Sequence, residues 1–385
     1  MDPEISDLDY QDRALPHVSR TFALTIPQLP EPLRAAVTNA YLLCRIVDTI
    51  EDEPAVSAPQ TIALMQRFKD AVAGRGDPSA LANDLTPLLK GRTLPSERDL
   101  VANMPRVIRV TAQFEPAQRA AIVRCVELMC FGMPRFQFNA SLRGLSRTAD
   151  LDEYCYYVAG VVGEMLTQLF CGYSARIAAN RERLESLADS FAQGLQMTNI
   201  LKDVWEDRSR GVCWLPQDVF ARHGVDLAQL SAQPHDPRYA AGLLELVGIA
   251  HAHLRNALAY ALLIPPEEPG IRRFCLWAIG LAILTLRRIA ANPRFMSGAE
   301  VKVSHSAVAM TQMFTDIALR RDWMLRALFA RAARGVPLAE LDPLRDRRAA
   351  SSGATRAGAP PVASPEPGRA QHSAEQTGTY GSSRP

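Results

Sequence analysis

Long stretches of helical periodicity dominate this chain and restrict what it can fold into. Apolar residues recur at helical spacing in eight segments, 33–51, 61–73, 118–131, 151–171, 183–206, 239–263, 271–291 and 306–333. Each exceeds the length that separates helices from strands, strand signals are nearly absent, and prolines fall mainly between the segments. No repeat of fixed period appears, which argues against a solenoid. We therefore predict one packed all-α domain over residues 12–340.

The C-terminal stretch, residues 349–385, has a different composition from the rest of the chain. It is rich in Gly, Pro, Ser and Ala and contains almost no large apolar residues. Such a segment cannot bury enough apolar surface to offset the conformational entropy that ordering would remove. We predict a disordered polar tail.

Composition and charge indicate a soluble protein of the cytoplasm. Hydrophobic residues make up 48% and charged residues 22%, and a net charge of +2 without a basic stripe gives no reason to expect a nucleic-acid partner. The seven cysteines show no CxxC pair, which favours free thiols in a reducing compartment, and the acidic N-terminus lacks a secretory signal. The most apolar run, 274–286, is shorter than the roughly 20 residues of a membrane span, so we predict a core helix and no transmembrane anchor.

Two acidic clusters are the main candidates for chemistry. Residues 48–52 read DTIED and residues 203–207 read DVWED, so that each cluster has acids at i, i+3 and i+4 on one face of a helix. One such cluster is commonly a solvated surface, but both extend apolar helical segments and point toward an interior. There, carboxylates ~5 Å apart would repel by about 3 kcal/mol at an effective dielectric constant near 20. Hard oxygen ligands suit Mg²⁺, so we predict that both clusters face one cavity and bind a diphosphate through Mg²⁺.

Basic residues stand beside both clusters. Arg20 precedes the first long helical segment, Arg45 lies one turn before Asp48, and Lys202, Arg208 and Arg210 flank the second cluster. The planar guanidinium fork suits diphosphate oxygens, although a single arginine is more commonly a surface charge. With metal ions, these groups would stabilise the charge that develops on a departing diphosphate.

A third stretch, residues 154–164, reads YCYYVAGVVGE. Ala159, Gly160 and Gly163 share one helical face at a cost in helix propensity. Such a face permits either close helix packing or a channel for a long apolar group, and the sequence leaves both open. The tyrosines beside it could stabilise a cation through their π faces or transfer a proton.

Four ordered motifs give the chain a family resemblance. They are SRTF at 19–22, RIVDTIED at 45–52, YCYYVAGVVGEM at 154–165 and QMTNILKDVWED at 196–207. The chain resembles the squalene/phytoene synthase family over about residues 19–313, and within it the bacterial squalene synthases. The resemblance implies the all-α class I isoprenoid (terpenoid) synthase fold, a single helical domain around a central cavity.

The resemblance also implies roles for individual residues. Catalysis would involve Tyr154, which matches the tyrosine assigned to proton removal in the first half-reaction, together with Arg45, Asp48 and Asp203. The implied Mg²⁺ ligands are Asp48, Glu51, Asp52, Asn199, Asp203, Glu206 and Asp207. The implied contacts to diphosphate and prenyl chain are Ser19, Arg20, Phe22, Arg45, Val158, Ala159, Gly160, Val161, Gly163, Gln196, Asn199, Lys202 and Arg210.

The implied reaction joins two farnesyl diphosphates head to head through presqualene diphosphate and then reduces this intermediate to squalene with NADPH. Residues 292–304 resemble the segment that family members use for NADPH, with Lys302 as the candidate contact. One alternative is a phytoene-type, dehydrosqualene-type or presqualene-diphosphate synthase that omits the reduction. Another is a non-catalytic helical partner subunit. An apolar product would suit a peripheral membrane contact.

Overall fold

The computed structural model describes residues 5–19, 21–31, 33–90, 93–232 and 236–341. Arg20 and the predicted tail, 349–385, lie outside the described residues. The first half contains α1 (Asp7–Val18), α2 (Phe22–Thr25), α3 (Leu33–Asp52), α4 (Ala58–Val72), α5 (Pro78–Leu85), α6 (Pro95–Ala102), α7 (Met104–Gln113), α8 (Pro116–Gln137) and α9 (Thr148–Cys155). The second contains α10 (Val161–Tyr173), α11 (Ala175–Ala178), α12 (Arg181–Lys202), α13 (Val204–Ser209), α14 (Gln217–Arg222), α15 (Pro237–Leu263), α16 (Pro269–Ala291), α17 (His305–Ala318) and α18 (Asp322–Ala332).

The predicted all-α fold is confirmed. Within the described ranges, the β structure amounts to an isolated bridge between Leu145 and Pro216. Long helices start and end close to the predicted bounds at 33–51, 239–263 and 271–291, where α3, α15 and α16 lie. Apolar periodicity is most reliable in such segments because each buries a wide face.

Two predicted helices are each broken into two. The segment 183–206 ends earlier than predicted, because α12 stops at Lys202 and α13 begins at Val204. Between them Asp203 has φ −97° and ψ 12°, and its carboxylate pairs with the Lys202 ammonium. Aspartate has poor helix propensity and favours such local contacts. Glu206 and Asp207 therefore lie on a separate short helix, and the second cluster is not on one continuous helical face.

The other break separates α17 from α18 at residues 319–321, inside the predicted segment 306–333. Arg272 of α16 is fully buried beneath this turn. Its Nη1 donates to the Leu319 carbonyl oxygen at 2.9 Å, and its Nη2 pairs with Asp322 at the start of α18. A buried guanidinium must be paired in this way, so Arg272 fixes the turn that ends α17.

The core forms around α12 and α15. Gly194 of α12 lies so close to α15 that an added Cβ would be 3.0 Å from the Leu254 side chain and 3.1 Å from its backbone nitrogen. α10 and α16 pack against this pair, and α3 and α8 pack against α10. Among the described residues, α16 is the one helix long and apolar enough to cross a membrane, yet 61% of its most apolar window is buried in the fold. Core helices of soluble proteins have the same composition, as predicted for residues 274–286.

Gly163 allows α10 to approach α12. A Cβ at Gly163 would be 2.5 Å from the Ala188 carbonyl oxygen, which is backbone and cannot swing aside, whereas a Cβ at Gly172 in the same helix would meet nothing within 4 Å. We expect Gly163→Ala to lower the free energy of unfolding by about 1–3 kcal/mol through overpacking. Gly172→Ala should raise it by up to about 1 kcal/mol through helix propensity. Urea unfolding of both variants measures the difference, and equal effects would contradict the close approach.

Candidate active site

The first acidic cluster lies at the C-terminal end of α3. Buried apolar residues of α3, among them Ile46, Val47 and Ile50, anchor the helix in the core and carry the acids to its inner end. Asp48 faces Arg45, with 3.9 Å between Oδ2 and Nη1. Glu51 is buried, and its Oε1 has no hydrogen-bond partner among the described residues.

These carboxylates are held where negative charge is unfavourable. Burial raises the pKa of Asp48 from its ordinary 3.8 to about 6, with Asp52 and Glu97 adding to the rise and Arg45 opposing it. Burial, together with Asp52 and Asp48, also raises the pKa of Glu51 well above its usual range. A cation next to the cluster would relieve this penalty.

The second cluster is held by three different contacts. Asp203 pairs with Lys202. Glu206 Oε1 accepts a hydrogen bond from the Gly298 amide at 2.8 Å. Asp207 is buried and pairs with Arg210, and burial raises its pKa to about 6 although Arg210 opposes the rise.

Arg210 brings the two clusters together. Its Nη1 lies 3.6 Å from Asp52 Oδ1, and its Nη2 pairs with Asp207. Glu51 and Asp52 of the first cluster border a cavity of about 280 Å³ together with Arg210, and Asp207 of the second cluster is joined to it through its pair with Arg210. Its lining residues are Glu51, Asp52, Glu53, Pro54, Val56, Ala58, Thr61, Pro134, Gln137, Phe138, Arg210, Val212 and Trp214. Acids that are distant in sequence are therefore neighbours across one guanidinium.

Tyr154 stands behind this cavity. Its ring stacks on Trp214, with centroids 4.1 Å apart and planes 10° apart. Burial raises the pKa of the Tyr154 phenol well above its usual range, and the negative charges of Glu51 and Asp52 add to the rise. The phenol is therefore protonated at neutral pH and lies within the field of the acidic clusters.

Arg45 connects the first cluster to the N-terminal segment. Its Nη2 donates to the Tyr41 hydroxyl at 3.1 Å, and the Tyr41 ring lies 5.3 Å from that of Phe22. Ser19 Oγ accepts from the Phe22 amide at 3.0 Å. Three predicted residues, Ser19, Phe22 and Arg45, therefore lie in one chain of contacts. Arg45 Nε is buried and has no hydrogen-bond partner in the described part of the chain. Because buried donors are normally paired, this N–H is available to bind a ligand.

The predicted residues of α12 lie on the face that leads to Asp203. Gln196 and Asn199 precede Asp203 by two turns and by one turn of helix, and the Asn199 carbonyl oxygen accepts from the Asp203 amide at 2.9 Å. Arg208 is buried and donates to the Leu142 carbonyl oxygen at 3.2 Å. Arg210, the second arginine after the cluster, pairs with Asp207 and lies 3.6 Å from Asp52.

The loop 292–304 packs against the second cluster. In addition to the Gly298–Glu206 hydrogen bond, a Cβ at Gly298 would be 3.1 Å from the Lys202 carbonyl oxygen and 3.3 Å from Asp203 Oδ1. Lys302 is exposed on the same loop. The sequence placed Lys302 in the site by resemblance, but gave no sign that Gly298 would contact the acids.

The small residues of the third motif lie at a π-helical turn, Tyr156–Gly160, between α9 and α10. Such turns frequently occur at functional sites. A Cβ at Gly160 would be 2.3 Å from Asp189 Oδ1. Gly160, Val161 and Gly163 are buried, while Val158 and Ala159 are half-buried. Both glycines therefore serve close helix packing, and a prenyl channel along this face stays a prediction.

The donor set fits Mg²⁺. Both clusters offer carboxylate oxygens, which Mg²⁺ prefers, and Glu51 presents a buried oxygen that lacks a donor. Among the described residues, no group of three or more His, Cys, Asp or Glu side chains is placed to hold an ion by itself. Mg²⁺ usually takes one or two carboxylates and completes its shell with water and substrate phosphates.

This all-helical arrangement, with two acidic clusters joined through Arg210 beside one cavity, defines an isoprenoid-synthase fold. The sequence model of the squalene/phytoene synthase family matches residues 15–307. The chain belongs to the squalene/phytoene synthase family.

Individual relatives agree with this assignment. Squalene synthase BSS of Botryococcus braunii is 30% identical over 306 residues, which cover 78% of this chain and 62% of that protein. Squalene synthase ERG9 of Candida albicans is 29% identical over 289 residues, covering 73% of this chain and 61% of that protein. The chain thus spans less than two thirds of the length of these relatives.

Solved structures share the fold. The structure of TcSQS with the ligand BPH1237 has a TM-score of 0.70 at 24% identity and covers 91% of this chain and 98% of that one. A dehydrosqualene synthase in complex with a ligand has a TM-score of 0.60 at 21% identity, covering 82% of this chain and 96% of that one.

Sequence reasoning missed several groups at the site. Tyr41 could have been found, because it stands four residues before Arg45 and therefore on the same helical face. Glu97, 3.8 Å from Arg45, comes from α6, and Trp214 comes from the segment after α13. Nothing in their local sequence signals these long-range contacts.

Proposed function

We propose that this protein is a Mg²⁺-dependent prenyltransferase that joins two molecules of farnesyl diphosphate head to head. The observation that supports this most directly is the position of Arg210 between Asp52 and Asp207. One acid of each cluster therefore contacts the same guanidinium at the edge of the cavity, which supports a site where two diphosphate groups are bound side by side.

In this proposal the acidic residues hold the metal and the basic residues hold the diphosphates. Asp48, Glu51 and Asp52 serve one diphosphate, and Asp203, Glu206 and Asp207 serve the other, with Gln196 and Asn199 assisting. Bound Mg²⁺ supplies positive charge to the departing diphosphate. Arg45, Lys202 and Arg210 add hydrogen bonds to its oxygens, with the N-terminal segment, Ser19 to Phe22, next to Arg45.

The first bond-forming step would break one C–O bond, release one diphosphate and one proton, and leave a C30 cyclopropyl diphosphate. Tyr154 is the candidate residue for transferring that proton, because its phenol lies near the acids and its ring is held in place by stacking on Trp214. The second step would release the remaining diphosphate and take hydride from NADPH to give squalene. Lys302, on the loop beside the second cluster, is the candidate contact to NADPH.

A second candidate, a synthase that omits the reduction, is favoured by the loop itself. Between residues 292 and 304 the basic side chains are Arg294 and Lys302, and both are exposed. A dinucleotide with several phosphates normally meets more positive charge than this.

Purified protein incubated with farnesyl diphosphate and Mg²⁺, with and without NADPH, tests both candidates. We expect squalene only in the presence of NADPH, and presqualene diphosphate in its absence. The same C30 product in the presence and in the absence of NADPH would assign the chain to the synthases without reduction. No release of diphosphate under any of these conditions would contradict the prenyltransferase proposal.

A further inference from the structure

α17 presents an apolar stripe to solvent. Met310, Met313, Phe314 and Ile317 are spaced at i, i+3, i+4 and i+7 and are all exposed, Ile317 by 60%. We call these four residues the outer stripe. Trp323, at the start of α18, is 70% exposed. A stripe with this spacing normally faces a core, so its position on the outside requires a reason.

The inner face of α17 shows that this orientation is built into the fold. Thr315 and Ala318 are the buried residues of α17. Thr311 contacts α16 so closely that a Cβ at Gly280 would be 2.6 Å from Thr311 Cγ2. Small and polar side chains pack inward, while the large apolar ones point away. Rotating the helix would force the larger side chains against the closely packed α16.

The charge around the outer stripe is positive. Residues 302–334 contain six basic side chains and two acidic ones. The two acids are already engaged, since Asp316 pairs with Arg273 and Asp322 pairs with the buried Arg272. Arg320 and Arg326 are exposed near the stripe along the chain.

We propose that the outer stripe, with Trp323 and the exposed arginines, is a surface that binds anionic lipid bilayers. Apolar side chains on one helical face with flanking arginines are the composition of helices that lie in a membrane interface. Tryptophan side chains also favour the interface between the membrane and water. The excess of positive charge attracts anionic headgroups, whereas it would repel the same surface of a second copy. The proposal goes beyond the proposed reaction, and binding does not require turnover.

Sedimentation of the full-length protein with vesicles tests the proposal. We expect partition into phosphatidylcholine vesicles containing phosphatidylglycerol and much weaker partition into pure phosphatidylcholine. Because exposed apolar side chains would move out of water, Met310→Ser with Ile317→Ser should weaken partition by about tenfold or more. Arg320→Gln with Arg326→Gln should weaken it by a similar factor and reduce its salt dependence.

The matched control is Ile62→Ser in α4, which removes another exposed apolar side chain. It should leave partition unchanged, and the thermal midpoints of all variants should stay close to that of the parent. Tryptophan emission should shift to shorter wavelength on addition of anionic vesicles, and Trp323→Phe should remove most of that shift. Absence of partition, equal loss in the Ile62→Ser control, or a dimer in solution that Ile317→Ser dissociates would each overturn the proposal.

Discussion

Asp48→Asn is expected to lower the rate of diphosphate release from farnesyl diphosphate by about a thousandfold. Asparagine keeps the size of the side chain but removes the charged oxygen that would bind Mg²⁺, and metal and charge stabilisation supply most of the driving force for such a departure. Release of pyrophosphate under saturating Mg²⁺ and substrate measures the effect. Asp207→Asn should give a loss of similar size, because it removes an acid from the opposite cluster.

The same Asp48→Asn substitution that lowers activity is expected to maintain or raise the stability of the fold. Asp48 has a pKa of about 6 in the folded protein and an ordinary value of 3.8. The folded state therefore binds more protons between these values, so this group makes the fold less stable as pH rises through that window. Asparagine removes the penalty. We expect the thermal midpoint of the variant to equal or exceed that of the parent at pH 7.5, with a smaller difference at pH 4.

Asp84→Asn is the control for both measurements. Asp84 pairs with Arg67 on the surface, 2.7 Å away, so its substitution should change neither rate nor midpoint appreciably. Loss of activity accompanied by unfolding would place Asp48 among structural residues. Unchanged release in both Asp48→Asn and Asp207→Asn would place the reaction at a different site, whereas no release from the parent protein would favour the non-catalytic partner subunit, which kept the fold without the reaction.

The fold and the identity of the acidic residues could be predicted because both depend on local periodicity. The spacing of apolar residues predicts α3, α15 and α16. The acids of residues 48–52 lie at the C-terminal end of α3. The same interpretation of residues 203–207 predicts that these acids lie on one continuous helix. That prediction is wrong, because α12 ends at Lys202. A break of one residue depends on a competing side-chain contact, which hydrophobic periodicity does not report.

Long-range contacts explain what the sequence could not provide. Arg208 and Arg210 look equivalent in the sequence, yet Arg208 donates to the Leu142 carbonyl oxygen while Arg210 pairs with Asp207. Likewise, the small residues of the third motif were compatible with packing or with a channel. Ala188 of α12 packs closely against Gly163, and both residues also line a small apolar cavity, so the prenyl channel stays a prediction. The contacts of these residues depend on a neighbour more than twenty residues away, or on the direction in which the chain leaves a helix.

Tyr154→Phe is expected to lower the rate of C30 product formation by about a hundredfold while leaving the affinity for farnesyl diphosphate nearly unchanged. The hydroxyl is the group that can transfer a proton, and general acid or base groups contribute on this scale. The Tyr154 ring, stacked on Trp214, would keep its position in the variant. Single-turnover measurements of product, together with substrate titration, separate the rate from the affinity.

Tyr239→Phe provides a control with the same chemical change. Tyr239 is buried and stacks on Phe220 with centroids 5.5 Å apart, much as Tyr154 stacks on Trp214. Its hydroxyl has no hydrogen-bond partner among the described residues, so removing it should cost no stability and no activity. Burial and the acids Glu51 and Asp52 hold the Tyr154 proton in place, so neutralising those acids makes the phenol more acidic. A Tyr154→Phe variant as active as Tyr239→Phe would therefore show that the proton leaves by a different group.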